Sequence, residues 1–124
     1  MEKPTILYVD DELMNLKAFA INLDRSYNIL MAENAFSGLE MLEMNPQISL
    51  VVSDMRMPKM DGLEFIDKAR QKYPNKTYYI LTGYGLNEDI QAALDRGLIK
   101  KYFSKPFNLQ AIESEFEEVT RSLP

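Results

Sequence analysis

Residues 48–62, ISLVVSDMRMPKMDG, contain the junction that decides the fold of this chain. The mainly apolar run ISLVV (48–52) leads directly to Ser53 and Asp54, and a loop marked by Pro58 and Gly62 follows. The apolar run predicts a buried strand. A carboxylate at the end of such a strand is either a helix cap or a reactive group at the rim of a sheet. The rest of the chain has to distinguish the two.

Similar apolar runs alternate with helical patterns along the chain. Runs rich in β-branched and aromatic residues predict strands at 5–9, 27–32, 48–53, 77–82 and 100–104. Apolar residues at helical spacing predict helices at 13–23, 35–44, 62–73, 86–96 and 108–122. The strands are mostly apolar rather than strictly alternating, which is typical of a parallel sheet covered on both faces. We therefore predict an α/β fold in one domain, 1–124: a (βα)5 doubly wound parallel five-stranded sheet, order 2-1-3-4-5, flavodoxin-like.

The ends of the helices carry their own signals. Asn34 and Asn108 stand where N-caps are expected, and Gly97 stands where a helix should stop. Leu86 is assigned to the apolar face of the fourth helix, together with Ile90.

The composition excludes several kinds of site. The chain has no cysteine and no histidine, so thiol nucleophiles, histidine bases and Cys- or His-ligated metals are excluded. Oxygen ligands remain, and they favour a hard cation such as Mg²⁺ (or Mn²⁺). The net charge of −5 argues against direct nucleic acid binding. Neither a membrane-spanning run nor a signal-peptide core is visible, so we expect a cytoplasmic domain without membrane contact.

Polar residues collect where the predicted strands end. Asp10 and Asp11 follow the first strand, Asp54 the third, Thr82 closes the fourth, and Lys105 follows the fifth. In a sheet of order 2-1-3-4-5 the carboxyl ends of the strands meet at one edge, beside strand 1. Three carboxylates in one cleft repel each other and call for a cation. Phosphoryl transfer to a carboxylate needs this kind of charge neutralisation, from a metal, a lysine and a hydroxyl.

At these residues the sequence resembles the receiver domain of bacterial two-component response regulators. The motifs are YVDDE (8–12), SDMRMPKMDG (53–62), ILTGY (80–84) and KKYFSKPF (100–107), and the resemblance covers about residues 4 to 121. It implies a phospho-accepting signalling switch of a phosphorelay. Such a domain is not an enzyme in the usual sense, although it has limited Mg-dependent self-phosphorylation and self-dephosphorylation chemistry.

The resemblance also implies roles for the residues of the cleft. Asp54 would accept the phosphoryl group and also face the metal ion. Asp11 would bind the ion directly, Asp10 mostly through water, and Arg56 through its backbone carbonyl. The donor would be a phosphohistidine on a sensor histidine kinase or a histidine phosphotransfer protein. Met14 on the first helix is a candidate for docking that partner, and packing is the alternative role for this methionine.

A second group of residues would respond to the phosphoryl group. Lys105 would pair with a phosphoryl oxygen, Thr82 would hydrogen-bond the group, and Pro106 would follow a cis peptide bond. Tyr102 would turn inward as Thr82 moves, although a half-buried strand tyrosine is the plainer interpretation. The surface formed by 86–96, 100–104 and 108–122, here called the 86–122 face, would then change for output or for homodimerisation.

Arg56 and Tyr84, two residues after Asp54 and Thr82, would border the path of the water that removes the phosphoryl group. We hypothesise that Tyr84 slows this hydrolysis; a solvent-exposed loop side chain is the alternative. Other functions for the whole chain are a Mg-dependent phosphatase, an unphosphorylated binding module and a flavin-binding protein. A phosphatase with an aspartyl nucleophile typically carries a second acid two residues later, and Arg56 occupies that position here, which argues against this function. A receiver that acts only as a binding module usually lacks the acidic pair, the acceptor or the lysine, and this chain has them all. A flavin-binding protein would need backbone donors for the flavin phosphate where this chain has the acidic residues DDE (10–12).

Overall fold

A computed structural model describes residues 3–106 and 108–121; Phe107 of the last motif and Leu123 of the last helical pattern lie outside this part. Five parallel strands form one sheet in the order β2-β1-β3-β4-β5. The strands are β1 (Thr5–Val9), β2 (Asn28–Ala32), β3 (Ile48–Asp54), β4 (Thr77–Thr82) and β5 (Lys101–Ser104). The predicted fold is confirmed, and the predicted strand ends differ from these by one residue at most.

Five helices alternate with the strands: α1 (Leu13–Leu23), α2 (Ala35–Met44), α3 (Gly62–Lys72), α4 (Glu88–Asp95) and α5 (Leu109–Arg121). Asn34 caps α2 by accepting a hydrogen bond from Ser37 N, and Asn108 accepts one from Ala111 N. Gly97 has φ 72° directly after α4, the left-handed conformation typical of a helix stop. Each helix is too short or too polar to cross a membrane within the described residues.

The assignment of Leu86 to the fourth helix is wrong. Asn87 caps α4 through a hydrogen bond from Ile90 N to its side-chain oxygen, so the helix begins at Glu88. Leu86 precedes the cap and is 49% exposed. The N-cap preference of asparagine therefore outweighs an apolar residue that falls at helical spacing by chance.

Two apolar cores cover the two faces of the sheet. One packs α2, α3 and α4 against residues such as Leu7, Val51 and Ile80. The other packs α1 and α5 against the alternate residues, including Tyr8 and Tyr79. Because helices cover both faces of the sheet and bury the central strands β1, β3 and β4, the connecting loops lie at the amino and carboxyl ends of the strands.

Gly62 and Lys59 fix the loop between β3 and α3. A Cβ atom on Gly62 would lie 2.3 Å from the carbonyl oxygen of Asp54, so only glycine lets α3 begin against the end of β3. Gly62 N donates a 2.8 Å hydrogen bond to Met55 O, which closes the loop. Lys59 has φ 70°, a left-handed conformation that disfavours side chains with a Cβ. This loop follows Asp54, the last residue of β3, at the carboxyl end of the sheet.

Candidate functional site

Three carboxylates meet at the carboxyl edge of the sheet. Asp10 and Asp11 follow β1, and Asp54 ends β3, the neighbouring strand. Their oxygen atoms lie within 4.8 Å of one another. Asp10 and Asp54 are buried, whereas Asp11 is exposed. The arrangement brings together the three carboxylates that the sequence analysis assigned to one cleft.

The donor set fits a hard divalent cation. All three side chains offer oxygen atoms, which Mg²⁺ and Mn²⁺ prefer, and Asp11 faces solvent, which leaves room for metal-bound waters. Lys105 opposes these negative charges, with its Nζ 2.7 Å from Asp54 Oδ1. The cluster therefore has the chemistry of a metal site, while the carbonyl of Arg56 as a further ligand stays a prediction.

Asp54 and Lys105 form a partly buried ion pair. Burial raises the pKa of the Asp54 carboxyl, and the charges of Asp10 and Asp11 raise it further, while Lys105 opposes the shift. Burial lowers the pKa of Lys105, but its hydrogen bond and its ion pair with Asp54 outweigh burial and raise it overall. The pair therefore holds Lys105 charged beside the carboxylate.

The side chain of Asp10 accepts three hydrogen bonds from described residues. Its Oδ1 accepts from Glu12 N at 2.9 Å, and its Oδ2 accepts from Asn15 Nδ2 at 3.2 Å and from the hydroxyl of Tyr8. Burial raises the pKa of Tyr8, and the neighbouring Asp10 charge adds to the effect, so its hydroxyl remains a donor. Sequence analysis missed this contact, although Tyr8 and Asp10 are two residues apart and so lie on the same side of the chain in an extended strand.

Thr82, Arg56 and Tyr84 line a cavity beside the acidic cluster. The cavity has a volume of about 500 Å³ and opens between the β3–α3 and β4–α4 loops. The guanidinium carbon of Arg56 lies 4.3 Å from the centre of the Tyr84 ring, a cation–π contact that joins the two loops. Tyr84 is nevertheless 72% exposed. The hydroxyl of Thr82 accepts a 3.1 Å hydrogen bond from Tyr84 N.

Three further residues named from the sequence lie outside the acidic cluster. Tyr102 is half-buried on β5, opposite Ile80, and packs against the core on the α3 and α4 side. The Lys105–Pro106 peptide bond is cis. Met14 on α1 is 82% exposed, so it does not serve the packing role that was its alternative interpretation.

A buried glutamate paired with two exposed lysines lies at the start of β5, and the sequence alone did not reveal it. The Glu115 carboxylate accepts hydrogen bonds from Lys100 Nζ at 2.8 Å and from the Tyr79 hydroxyl at 2.9 Å. Lys101 Nζ lies 3.1 Å from the other carboxylate oxygen. Burial raises the pKa of Glu115, but its contacts with the two lysines and with the Tyr79 hydroxyl outweigh burial and lower the pKa overall. Nothing in the helical pattern of α5 separates this glutamate from its solvated neighbours.

Known proteins are similar to this chain in sequence and in fold. The response regulator receiver domain profile matches residues 6–117. The hydrogenase transcriptional regulatory protein HoxA of Cupriavidus necator is 31% identical over 106 residues, 86% of this chain and 22% of that protein. A chemotaxis protein CheY homologue of Campylobacter jejuni is 29% identical over 118 residues, 92% of this chain and 90% of that protein.

A solved structure agrees with these relatives. The signal receiver domain of an HD domain-containing protein from Pseudomonas fluorescens Pf-5 superposes with a TM-score of 0.89 at 29% identity, covering 97% of this chain and 96% of that one. The chain spans only 22% and 24% of the length of two HoxA relatives. The profile match extends over most of the chain and takes in each of the cleft residues described above. The chain therefore belongs to the response regulator receiver domain family, and it is a phospho-accepting switch domain of two-component signalling.

Proposed function

We propose that Asp54 accepts the phosphoryl group, in a Mg²⁺-dependent transfer from a phosphohistidine. The donor would belong to a sensor histidine kinase or a histidine phosphotransfer protein, since receiver domains interact with both. The observation that carries the proposal is the position of Asp54, which lies within 4.8 Å of Asp10 and Asp11 and 2.7 Å from Lys105. The proposal treats residues 1–124 as one receiver domain acting in the cytoplasm.

The proposed chemistry uses the carboxylate as a nucleophile. An oxygen of Asp54 forms the O–P bond while the P–N bond to the donor imidazole breaks, and the electron pair of that bond stays on the imidazole nitrogen. Asp10, Asp11, Asp54 and the carbonyl of Arg56 would hold the cation. When bound, Mg²⁺ (or Mn²⁺) neutralises charge on the transferred group. Lys105 neutralises a second oxygen of that group, because its ammonium already lies at the acceptor.

The proposed switch starts from hydrogen bonds that the phosphoryl group competes for. The hydroxyl of Thr82, which accepts from Tyr84 N, would turn to donate to a phosphoryl oxygen. The β4–α4 loop would follow, and Tyr102 would move into the space released beside Ile80. The 86–122 face would then change shape for output or for homodimerisation, with Met14 and α1 left to dock the donor.

Arg56 and Tyr84 are proposed to set the lifetime of the phosphorylated state. Their cation–π contact bridges the two loops that flank the cavity beside Asp54. Water that hydrolyses an aspartyl phosphate would pass this pair. We expect Tyr84→Ala to speed dephosphorylation of the isolated domain; an unchanged rate would leave Tyr84 as a solvent-exposed loop residue.

Acetyl phosphate tests the phospho-acceptor directly. The protein is incubated with the reagent, with and without Mg²⁺, and followed by intact mass and peptide mapping. We expect one added phosphoryl group on Asp54, present only with metal and absent in Asp54→Asn. Asp61→Asn is the matched control, because Asp61 caps α3 from the same loop. Phosphorylation of another residue, or none in the presence of Mg²⁺, would refute the proposal.

A further inference from the structure

The hydroxyl of Tyr8 touches the acidic cluster from inside the core. Tyr8 and Asp10 are both fully buried, at 0% exposure, and the hydroxyl donates to Asp10 Oδ2. Tyr8 lies on β1, with its ring in the core between the sheet and α1 and α5. The donor therefore reaches the carboxylate from the side opposite solvent, where water is excluded.

The position of this hydroxyl is fixed by packing. The Tyr8 ring stacks on Phe19 of α1, with ring centres 4.3 Å apart and planes 29° apart, and Phe19 is also fully buried. A tyrosine hydroxyl lies in the plane of its ring, so a fixed ring fixes the direction in which the oxygen can donate. By contrast, Asn15 donates to the same oxygen at 3.2 Å from a partly buried helix position.

The hydrogen bonds decide which lone pairs of Asp10 remain. A carboxylate offers about four acceptor positions. Tyr8 and Asn15 occupy Oδ2, and Glu12 N occupies one position on Oδ1. The remaining position on Oδ1 is the one that can serve a cation or its water. Loss of the buried donor would let the carboxylate turn toward its remaining partners and away from Asp11 and Asp54.

We propose that Tyr8 is a positioning residue for the divalent cation, acting through Asp10. This inference rests on the proposed function, because it assumes that the acidic cluster binds Mg²⁺. Partners that orient metal ligands typically contribute about 10–100-fold to metal affinity. Because Asp10 is expected to bind the ion mostly through water, we expect loss of the Tyr8 hydroxyl to lower Mg²⁺ affinity about tenfold, the lower end of this range.

Tyr8→Phe tests the inference, because it removes the hydroxyl and keeps the ring that stacks on Phe19. Tyr79→Phe is the matched control. Tyr79 is also fully buried, and its hydroxyl donates to another carboxylate, Glu115, at 2.9 Å. The dissociation constant of Mg²⁺ is measured by isothermal titration calorimetry, and the free energy of unfolding is measured in urea without metal.

We expect Tyr8→Phe to raise the Mg²⁺ dissociation constant about tenfold and Tyr79→Phe to change it less than twofold, although both lower stability. With acetyl phosphate, the Mg²⁺ concentration for half-maximal phosphorylation should rise about tenfold in Tyr8→Phe, while the rate at saturating Mg²⁺ is retained. Equal or tighter Mg²⁺ binding by Tyr8→Phe, or an equal loss in Tyr79→Phe, would overturn the role of Tyr8.

Wild-type protein separates the remaining outcomes. If the wild type does not bind Mg²⁺, the proposed function fails and the inference fails with it. If Tyr8→Phe does not fold, the hydroxyl proton of Tyr8 is followed by NMR in the wild type. We expect its resonance to shift when Mg²⁺ is added. A resonance that stays in place while Mg²⁺ binds would overturn the inference and leave the proposed function intact.

Discussion

The close approach of Gly62 to Asp54 gives a test of how the fold positions the acceptor. In Gly62→Ala the new Cβ would lie 2.3 Å from the carbonyl oxygen of Asp54 and 2.9 Å from Ile80 Cδ1. The first of these neighbours is backbone and cannot turn away. Restoring ordinary contact requires the start of α3 and the end of β3 to separate by about 1 Å.

The cost follows from this displacement. Overpacking of this kind costs about 1–3 kcal/mol. The 2.8 Å hydrogen bond from Gly62 N to Met55 O lies in the same turn, and its loss would add about 1 kcal/mol. Alanine regains about 0.5–1 kcal/mol because it loses less backbone entropy than glycine. We expect a net loss of about 2–3 kcal/mol, or roughly 10 °C in Tm for a domain of this size.

The assays are urea unfolding and phosphorylation by acetyl phosphate. Because the displaced carbonyl belongs to Asp54, we expect the phosphorylation rate to fall by up to about 100-fold. Gly83→Ala is the control, since its Cβ would meet nothing closer than Lys105 Cδ at 3.9 Å. A Gly62→Ala protein that matches Gly83→Ala in both stability and rate would refute the reasoning.

Three further predictions follow from single positions. Lys59→Gly should raise the free energy of unfolding by about 1 kcal/mol, measured in urea, because φ 70° suits glycine; an unchanged value would mean that the loop is not strained. Glu115→Gln should lower stability at pH 7 by about 1–2 kcal/mol. Because the pKa of Glu115 is lowered in the folded protein, its ionised carboxylate stabilises the fold above the ordinary glutamate pKa, and this stabilisation is lost as the pH falls through the folded pKa. The free energies of unfolding of wild type and variant should therefore converge in acid. A difference that does not change with pH would exclude the ion pairs of Glu115 as its cause. Asp54→Asn should raise the Tm of the metal-free protein, because the raised pKa of Asp54 means that its ionised form costs stability at neutral pH; Mg²⁺ should raise the Tm of the wild type more than that of the variant, and equal shifts would contradict the site.

The sheet could be predicted from the sequence because the strands are mostly apolar rather than alternating and alternate along the chain with helical patterns. Asp10, Asp11, Asp54 and Lys105 were predicted to meet because the order of a doubly wound sheet brings their strand ends together. No side-chain detail was needed for that step. The position of the Thr82 hydroxyl could not be predicted from strand order, because this hydroxyl accepts a hydrogen bond from Tyr84 N in its own loop.

The details that sequence analysis missed depend on side-chain direction. Tyr8 and Tyr79 look like ordinary apolar strand residues, yet each directs its hydroxyl to a carboxylate. Arg56 and Tyr84 were both assigned to the water path, but their cation–π contact depends on how two loops fold toward each other. Leu86 was misassigned because spacing alone does not show where a cap ends a helix.

Ion pairs lie at both ends of β5. The strand begins at Lys101, which is paired with Glu115 together with Lys100, and it is followed by Lys105, which is paired with Asp54. If Asp54 accepts the phosphoryl group as proposed, the reaction changes the partner of Lys105 and leaves the pairs of Glu115 in place. Because β5 is also paired with β4 from Lys101 to Ser104, a displacement transmitted through Lys105 should be larger at Ser104 than at Tyr102, which lies one residue from the end held by Glu115.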